Sequence, residues 1–295
     1  MRAWLSLPFL DPADLRAVTV AAEAAGIDGL AVSEHVCVPA EFSSPYPYNE
    51  GKPVALPTDT PLPDPLVTIA ALAAVTTRVR FMTSVLILPL RHPVLLAKEI
   101  ATASAFSGGR VDLGVGVGWL REEFEALGLD TFTSRGAVTD EMIPLLRALW
   151  SGAPVGADGE HFRFDPVAVN PTPPAPVPIF VGGTSPPALR RCAQTADGWV
   201  GANPSIDELK DVVVRLRHAR ELAGTVDRPF EIRSGIRGTL TPERIDALRD
   251  LGVDALVIAP WQLGPRRDSI FDLPVRELID ALPGAITAIR GTEGA

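Results

Sequence analysis

Cysteine is almost missing from this chain of 295 residues: Cys37 and Cys192 are the two, and no CxxC occurs. A disulfide framework is thereby excluded. Long apolar runs are missing too. The longest, near Val85 to Leu90, is far too short to span a bilayer. There is no basic block, and the formal net charge is −9 with a pI of about 5.0. Nucleic acid and anionic membrane are therefore excluded as partners. An anionic cofactor is not, because helix N-termini and glycine-rich backbone hold phosphate without a positive protein. Arg2 is followed by an acid at Asp11 with no small-residue cleavage site, so no signal peptide is expected and a cytoplasmic protein is. No GxxxxGK[ST] is present, which removes a P-loop. His35, His92, His161 and His218 do not cluster at ligand spacing, and there is no HExxH, so no metal is expected.

What is present in quantity is apolar sequence: 46% hydrophobic residues and a mean hydropathy of +0.19. That is ample for a full core, and α/β barrels of this size often fold as one unit. The chain alternates short buried strands with one-faced helices. Strands are expected at 3–9, 27–32, 79–88, 110–118, 179–181, 198–201, 230–236 and 255–258. Helices are expected from Asp11 to Ala25, Asp64 to Thr76, His92 to Ser107, Pro186 to Ala196, Ile206 to Ala223, Thr241 to Leu251 and Leu273 to Leu282. Repeated right-handed βα units predict a closed (β/α)8 TIM barrel over residues 1–295 as a single domain, with a doubly wound open sheet as the rival. Two stretches depart from the alternation. Residues 36–63 form a long loop rich in proline that also carries Tyr46 and Tyr48. Residues from about 120 to 176 form an insertion between strands four and five, with a hairpin edge near Gly159 to Phe164.

In a barrel the chemistry sits at the C-terminal ends of the strands. The second strand ends in Ser33, Glu34 and His35, and His35 is the best single candidate for proton transfer near neutral pH, with Glu34 to orient it or shape the pocket. Gly182, Gly183, Thr184 and Ser185 join a strand to a helix opened by proline, which reads as a phosphate cradle or as a tight turn requiring φ > 0. Gly114, Gly116 and Gly118 interleave with the apolar residues of the fourth strand, so a ligand or another backbone comes close there. Trp119 follows as a platform or packing residue. Thr83 and Ser84 are polar in an apolar strand and need partners, for which a ring-edge carbonyl or amide would serve. Arg135 opens a helix, where it reads either as reaching a cofactor phosphate or carboxylate or as a surface salt bridge. Glu122 and Glu123 read as acids favouring a helix dipole. Lys52, Lys98 and Lys210 do not lie at strand ends, which counts against an aldolase or phosphosugar isomerase. A binding protein without chemistry is the other alternative, against which a histidine at the mouth argues.

Several segments together resemble a known family, the luciferase-like monooxygenases with their deazaflavin (coenzyme F420)-dependent relatives. They are GIDGLAVSEH, RHPVLLAKEIATASAFSGGRVDLGVGVGW, GAVTDEMIPLLRALWSG, GEHFRF, PIFVGGTSPPALRRCAQTADGWVG and DALRDLGVDALVIAP. They cover nearly the whole chain and look most like the bacterial F420-dependent oxidoreductases. The resemblance implies a TIM barrel with an insertion, a homodimer, and F420 or alternatively FMN across the C-terminal mouth. It implies hydride transfer to or from a small organic substrate, with His35 as proton donor or acceptor. It places Thr83 and Ser84 beside the cofactor ring, where members often carry a non-proline cis peptide. Gly116, Gly118 and Trp119 fall at the rim, and Gly182, Gly183 and Thr184 at the phosphate end. With FMN, the implied chemistry is O2-dependent hydroxylation fed by a separate flavin reductase. The family's sugar-phosphate dehydrogenases use a tryptophan in the loop after the second strand. Residues 36–63 contain none, which counts against sugar-phosphate chemistry.

Overall fold

The computed structural model describes residues 1–48, 56–263, 271 and 274–291. Its strands are β1 (Arg2–Ser6), β2 (Gly29–Val32), β3 (Arg80–Thr83), β4 (Leu86–Ile87), β5 (Val111–Gly116), β6 (Val155–Asp158), β7 (Arg163–Val167), β8 (Ile179–Gly182), β9 (Gly198–Gly201), β10 (Glu231–Ser234) and β11 (Ala255–Ile258). The helices are α1 (Pro12–Ala25), α2 (Pro65–Ala73), α3 (Pro93–Phe106), α4 (Arg121–Ala126), α5 (Arg135–Leu149), α6 (Pro186–Thr195), α7 (Ile206–Ala223), α8 (Pro242–Asp250) and α9 (Val275–Arg290).

The main sheet runs β3-β2-β1-β11-β10-β9-β8-β5, and a β3–β5 pairing closes it. Every one of these pairings is parallel. The expected eight-stranded barrel is thus the fold, and the open sheet is excluded. Helix starts follow local chemistry. Asp11 caps α1 by accepting from the Ala13 amide at 2.8 Å, and Pro12 fills the first turn. Ser205 and Glu208 form a capping box on α7. In α9, Leu278, Leu282, Ile286 and Ile289 recur at helical spacing and are buried, the stripe that seats this helix against α1.

Some boundaries differ from expectation. The third strand is not continuous: it breaks between β3 and β4 at a cis Ser84–Val85 peptide, the non-proline cis bond that the family resemblance implied. The hairpin strands are β6 and β7, so residues 159–162 are its turn rather than its edge. The last helix continues past Leu282 to Arg290, because Pro283 costs one backbone bond while the apolar stripe runs on. Leu273, its expected start, lies outside the described residues, as does the tail beyond Gly291. Between β5 and β8 the chain adds α4, α5 and the β6–β7 hairpin. Glu141 on α5 anchors the hairpin turn by accepting from the His161 and Phe162 amides, each at 3.0 Å.

The barrel interior is filled rather than open. Trp4, Ala31, Met82, Phe180, Val200, Ala255 and Val257 form an inner cluster, with Val85 packed on it. Toward the N-terminal ends of the strands lies a charge chain. Arg233 is 3% exposed and its guanidinium sits 4.3 Å from the Trp4 ring and 3.7 Å from the Phe180 ring. It donates to Asp112 at 2.6 Å and to Glu231 at 2.9 Å. Arg80 binds the other Asp112 oxygen, and Arg2 pairs with Glu231 at 2.7 Å.

Gly114 shows how tightly β5 is placed. A Cβ there would lie 2.0 Å from the Thr83 carbonyl oxygen, a backbone atom that cannot swing away. Gly114→Ala is expected to lower stability by at least about 1–3 kcal/mol, the usual cost of overpacking a core. A thermal melt of the variant checks it, and an unchanged melting temperature would contradict this packing.

Candidate active site at the C-terminal mouth

His35 lies three residues beyond β2, with a side chain 16% exposed. Its Nδ1 is 3.1 Å from Glu123 Oε2. The other carboxylate oxygen, Oε1, accepts from the amides of Val36 at 2.5 Å and Cys37 at 3.4 Å. Glu123 is fully buried in the first turn of α4. A carboxylate taking two backbone N–H groups acts as an acceptor, so His35 Nδ1 is the donor toward it. That fixes the ring and leaves Nε2 for chemistry.

Glu34 is not the group that orients His35. Its side chain is 1% exposed and bound elsewhere: Oε2 accepts from the Ile87 amide at 2.6 Å, and Oε1 pairs with Arg91 at 2.5 Å. Burial pushes its carboxyl above the usual range, against the pull of Arg91 and the Ile87 amide. Glu34 ties the end of β2 to β4, just past the cis bond. The histidine's partner is Glu123, which sequence reading passed over as a helix-dipole acid. The available signal was a pair of acids beginning three residues after a mouth tryptophan; burial alone separates the two.

The other acid of that pair, Glu122, pins the loop after β2. It accepts from the Ser43 amide at 2.7 Å, the Ser44 amide at 3.2 Å and the Ser44 hydroxyl at 2.6 Å. Burial raises its pKa, but the Ser44 hydroxyl and the Ser43 and Ser44 amides together outweigh that and bring it to about 2. On the barrel's flank Glu23 behaves alike: burial raises it, the Val79, Arg78 and Thr77 amides outweigh burial, and it too falls to about 2. Both folded values lie below the ordinary 4.5, so both contribute stability that is complete above about pH 4.5 and lost as pH falls toward 2. Denaturation midpoints measured from pH 6 to 2 are expected to fall across that window. The fall is expected to be shallower in a Glu23→Gln, Glu122→Gln double variant, and an identical slope would contradict the assignment.

Loop 36–48 lays rings around Trp119. The His35, Phe42 and Tyr46 rings approach it at 5.7, 5.9 and 5.2 Å, all close to perpendicular, and Tyr48 meets Tyr46 at 5.6 Å. At the ends of β1 and β11, Phe9 stacks on Trp261 at 6.3 Å and packs on Phe271 at 4.8 Å.

The floor of the mouth is Val85. A Cβ on Gly116 would stand 2.6 Å from Val85 Cγ2, and one on Gly182 would stand 3.2 Å from Val85 Cγ1. These glycines make room for Val85, whose side chain caps the inner cluster and is partly exposed. Gly118 is in the left-handed region (φ +80°) and close to Ile87 and Phe124, so it serves the turn into α4. Thr83 is fully buried, and its hydroxyl donates to the Gly114 carbonyl at 2.7 Å; its partner is therefore the neighbouring strand rather than a ring edge. Ser84, by contrast, is partly exposed, and its amide donates to Val32 at 2.7 Å.

Across the floor, β8 leads into Gly183 (φ +100°), Thr184 and Ser185. The Gly183 carbonyl accepts from Trp199 Nε1 at 2.9 Å and the Thr184 carbonyl from Arg215 at 2.7 Å. The amides of Gly183, Thr184 and Ser185 donate to no group among the described residues. This turn therefore presents donors, as a phosphate cradle must. They do not come from the first turn of α6, because Pro186 and Pro187 bring no N–H and the Ser185 hydroxyl caps Ala188 at 3.4 Å. Arg135 stands behind the rim: it donates to the Gly118 carbonyl at 3.0 Å and the Phe132 carbonyl at 2.6 Å, its guanidinium 4.1 Å from the Phe132 ring. A hollow of about 630 Å³ beside the β6–β7 hairpin, lined by Asp158, Arg163 and Phe164, is an exposed ribbon face outside the mouth. Among the described residues no helix is long and apolar enough to cross a membrane.

A mouth with an apolar floor, unbonded amides on one side and a carboxylate-held histidine on the other fits a flat ring carrying a phosphate tail. Comparisons with known proteins give the family and the fold. Residues 2–269 match the family model described as luciferase-like monooxygenase. An uncharacterized protein of Mycobacterium tuberculosis H37Rv is 37% identical over 248 residues, spanning 83% of this chain and 85% of that one. An F420-dependent glucose-6-phosphate dehydrogenase of Nakamurella multipartita is 30% identical over 279 residues, spanning 92% and 76%. Among solved structures, an F420-dependent secondary alcohol dehydrogenase in complex with an F420–acetone adduct shares the fold at a TM-score of 0.74. Its identity is 18%, and the match covers 98% of this chain and 100% of that one.

Proposed function

The chain belongs to the luciferase-like monooxygenase family, and from that premise we propose that it is an F420-dependent oxidoreductase acting on a small organic substrate. The observation that carries this reading is His35, held through Nδ1 by buried Glu123 at a strand end next to the Val85 floor. F420, when bound, supplies a ring carbon that gives or takes a hydride. The chain's own part is to bind, orient and move a proton. Val85, flanked by Gly116 and Gly182, offers an apolar bed for the ring. Ser84 lies at its edge, and Gly118 and Trp119 form the rim beyond it. The Gly183, Thr184 and Ser185 amides are the donors for the phosphate end. His35 Nε2 exchanges a proton with the substrate as hydride moves, so the substrate gains or loses a hydrogen pair. Glu34 and Arg135 support this set by positioning β4 and Gly118.

The second reading is an FMN-dependent monooxygenase, favoured by the family description itself and served by the same amides; it requires a flavin reductase as partner. A cytoplasmic homodimer belongs to either reading. The test is cofactor choice. Purified apoprotein is titrated separately with F420 and FMN, following tryptophan fluorescence and ring absorbance. Tight F420 binding with weak FMN binding is expected. The reverse would establish the monooxygenase reading in its place, and binding of neither would remove the Gly183 to Ser185 cradle.

A further inference from the structure

The aromatic corner around Trp119 says what kind of substrate this mouth takes. His35, Phe42, Tyr46 and Trp119 are each only partly buried, so three further rings remain partly open beside the proposed proton-transfer group. All three contacts on Trp119 are near-perpendicular, at 87°, 73° and 76°. Edge-to-face contacts of this kind form a corner with ring faces and edges both presented, and a further ring completes it favourably.

The charges near the corner point the same way. Its acids, Glu122 and Glu123, are bound by serine groups and by the histidine and backbone amides. Among the described residues, the arginines that follow Trp119 and the one that pairs with Glu34 are turned to other work. Arg121 and Arg135 lie over the Phe132 ring at 4.2 and 4.1 Å, and Arg91 is paired with Glu34 and Asp64. A phosphate or carboxylate brought here by a substrate would meet two carboxylates and, among the described residues, no arginine aimed at it. Burial also raises the Tyr46 hydroxyl, so that wall stays uncharged.

We infer that the corner made by His35, Phe42, Tyr46 and Trp119 binds an uncharged planar ring, aromatic or conjugated, as the substrate of the proposed hydride transfer, and that it disfavours sugar phosphates. The inference rests on the oxidoreductase reading above and assigns Trp119 to the substrate rather than to the cofactor. It differs in substrate class from the glucose-6-phosphate dehydrogenase relative.

The test is calorimetry on protein saturated with whichever of F420 and FMN binds, with three probes: 1-naphthol, 1-naphthyl phosphate and glucose 6-phosphate. 1-Naphthol is expected to bind, 1-naphthyl phosphate about tenfold or more weakly, and glucose 6-phosphate without measurable heat. Tyr46→Leu and Phe42→Leu, both on the loop surface, are expected to weaken 1-naphthol about tenfold each while cofactor affinity stays within twofold. Preference for either phosphate ester would overturn the inference, as would unchanged 1-naphthol affinity in both variants. Loss of cofactor and 1-naphthol binding together would overturn it too, since the ring would then occupy the cofactor's place. Failure of both cofactors to bind is a separate result that removes the oxidoreductase reading; 1-naphthol is then titrated into the apoprotein, where its binding supports the corner and its absence overturns it.

Discussion

Asp112→Ala is expected to destabilise the protein by about 3–5 kcal/mol, the usual cost of removing one partner from a buried ion pair. Asp112 is fully buried and receives two guanidinium groups, Arg233 at 2.6 Å and Arg80 on its other oxygen. Truncation leaves Arg233 between Trp4 and Phe180 with no anion inside the barrel. Contact with each ring face is worth about 2 kcal/mol or more when desolvated, but it is present before and after truncation and does not replace the lost charge. Among the described residues Glu231 remains as its only acid, and that group is also engaged by Arg2. Asp112→Asn keeps one acceptor and is expected to lose less. Removing the buried pair, in Asp112→Ala with Arg233→Met, is expected to recover much of the loss, because the charge then left without its acid is that of Arg80, which is partly exposed. Chemical denaturation of the three variants measures this. A midpoint for Asp112→Ala matching that of the parent would show the charge chain to be dispensable. Asp112 lies near the start of β5 while the mouth is at its end, so surviving folded protein should still bind cofactor.

The second large effect is on chemistry. Glu123→Gln is expected to reduce kcat/KM by about 10²- to 10⁴-fold, the range spanned by positioned acid–base groups. The native carboxylate accepts at both oxygens: His35 Nδ1 on one, the Val36 and Cys37 amides on the other. A glutamine offers one oxygen and one NH2. Whichever way it turns, its NH2 faces a donor, and either the imidazole or the loop amides lose their acceptor. A positioning role predicts that the pH profile of turnover shifts and that cofactor affinity barely moves. It also predicts that adding Glu123→Gln to His35→Ala costs nothing further, because the two act as a unit. Full additivity of the two changes would sink the pairing. Glu123→Ala should in addition leave the Val36 and Cys37 amides unpaired, for about 1–3 kcal/mol and faster proteolysis in the following loop.

The barrel was legible because alternation of short apolar runs with capped helices is a local pattern. Asp11 before Pro12 and Ser205 three residues before Glu208 announce helix starts without reference to anything distant. The site was legible in position and less so in wiring. His35 was found because strand ends are where a barrel keeps its chemistry, but its partner lies 88 residues away and looks in sequence like Glu122 beside it. Glu34 was favoured by adjacency, yet neighbouring residues on an extended chain point to opposite sides, and this one reaches β4. The glycines of β5 were read as close approach of a ligand or another backbone. Close approach is right, and its cause at Gly116 is Val85, brought there by the break after Thr83 that periodicity does not reveal. Asp112 was passed over in the sequence, because Arg233 joins it from 121 residues on.

The loop after β2 is fastened in an unusual way. Glu122 and Glu123 grip it through the amides of Val36, Cys37, Ser43 and Ser44 and through serine hydroxyls, never through Phe42, Tyr46 or Tyr48. The fastening reads the main chain, and the rings that face the mouth carry none of it. A library randomised at positions 42, 46 and 48 should consequently stay folded and keep its proton-transfer pair while its substrate preference drifts. In evolutionary terms the hinge and the tool are separate parts, and this barrel can exchange one without re-inventing the other.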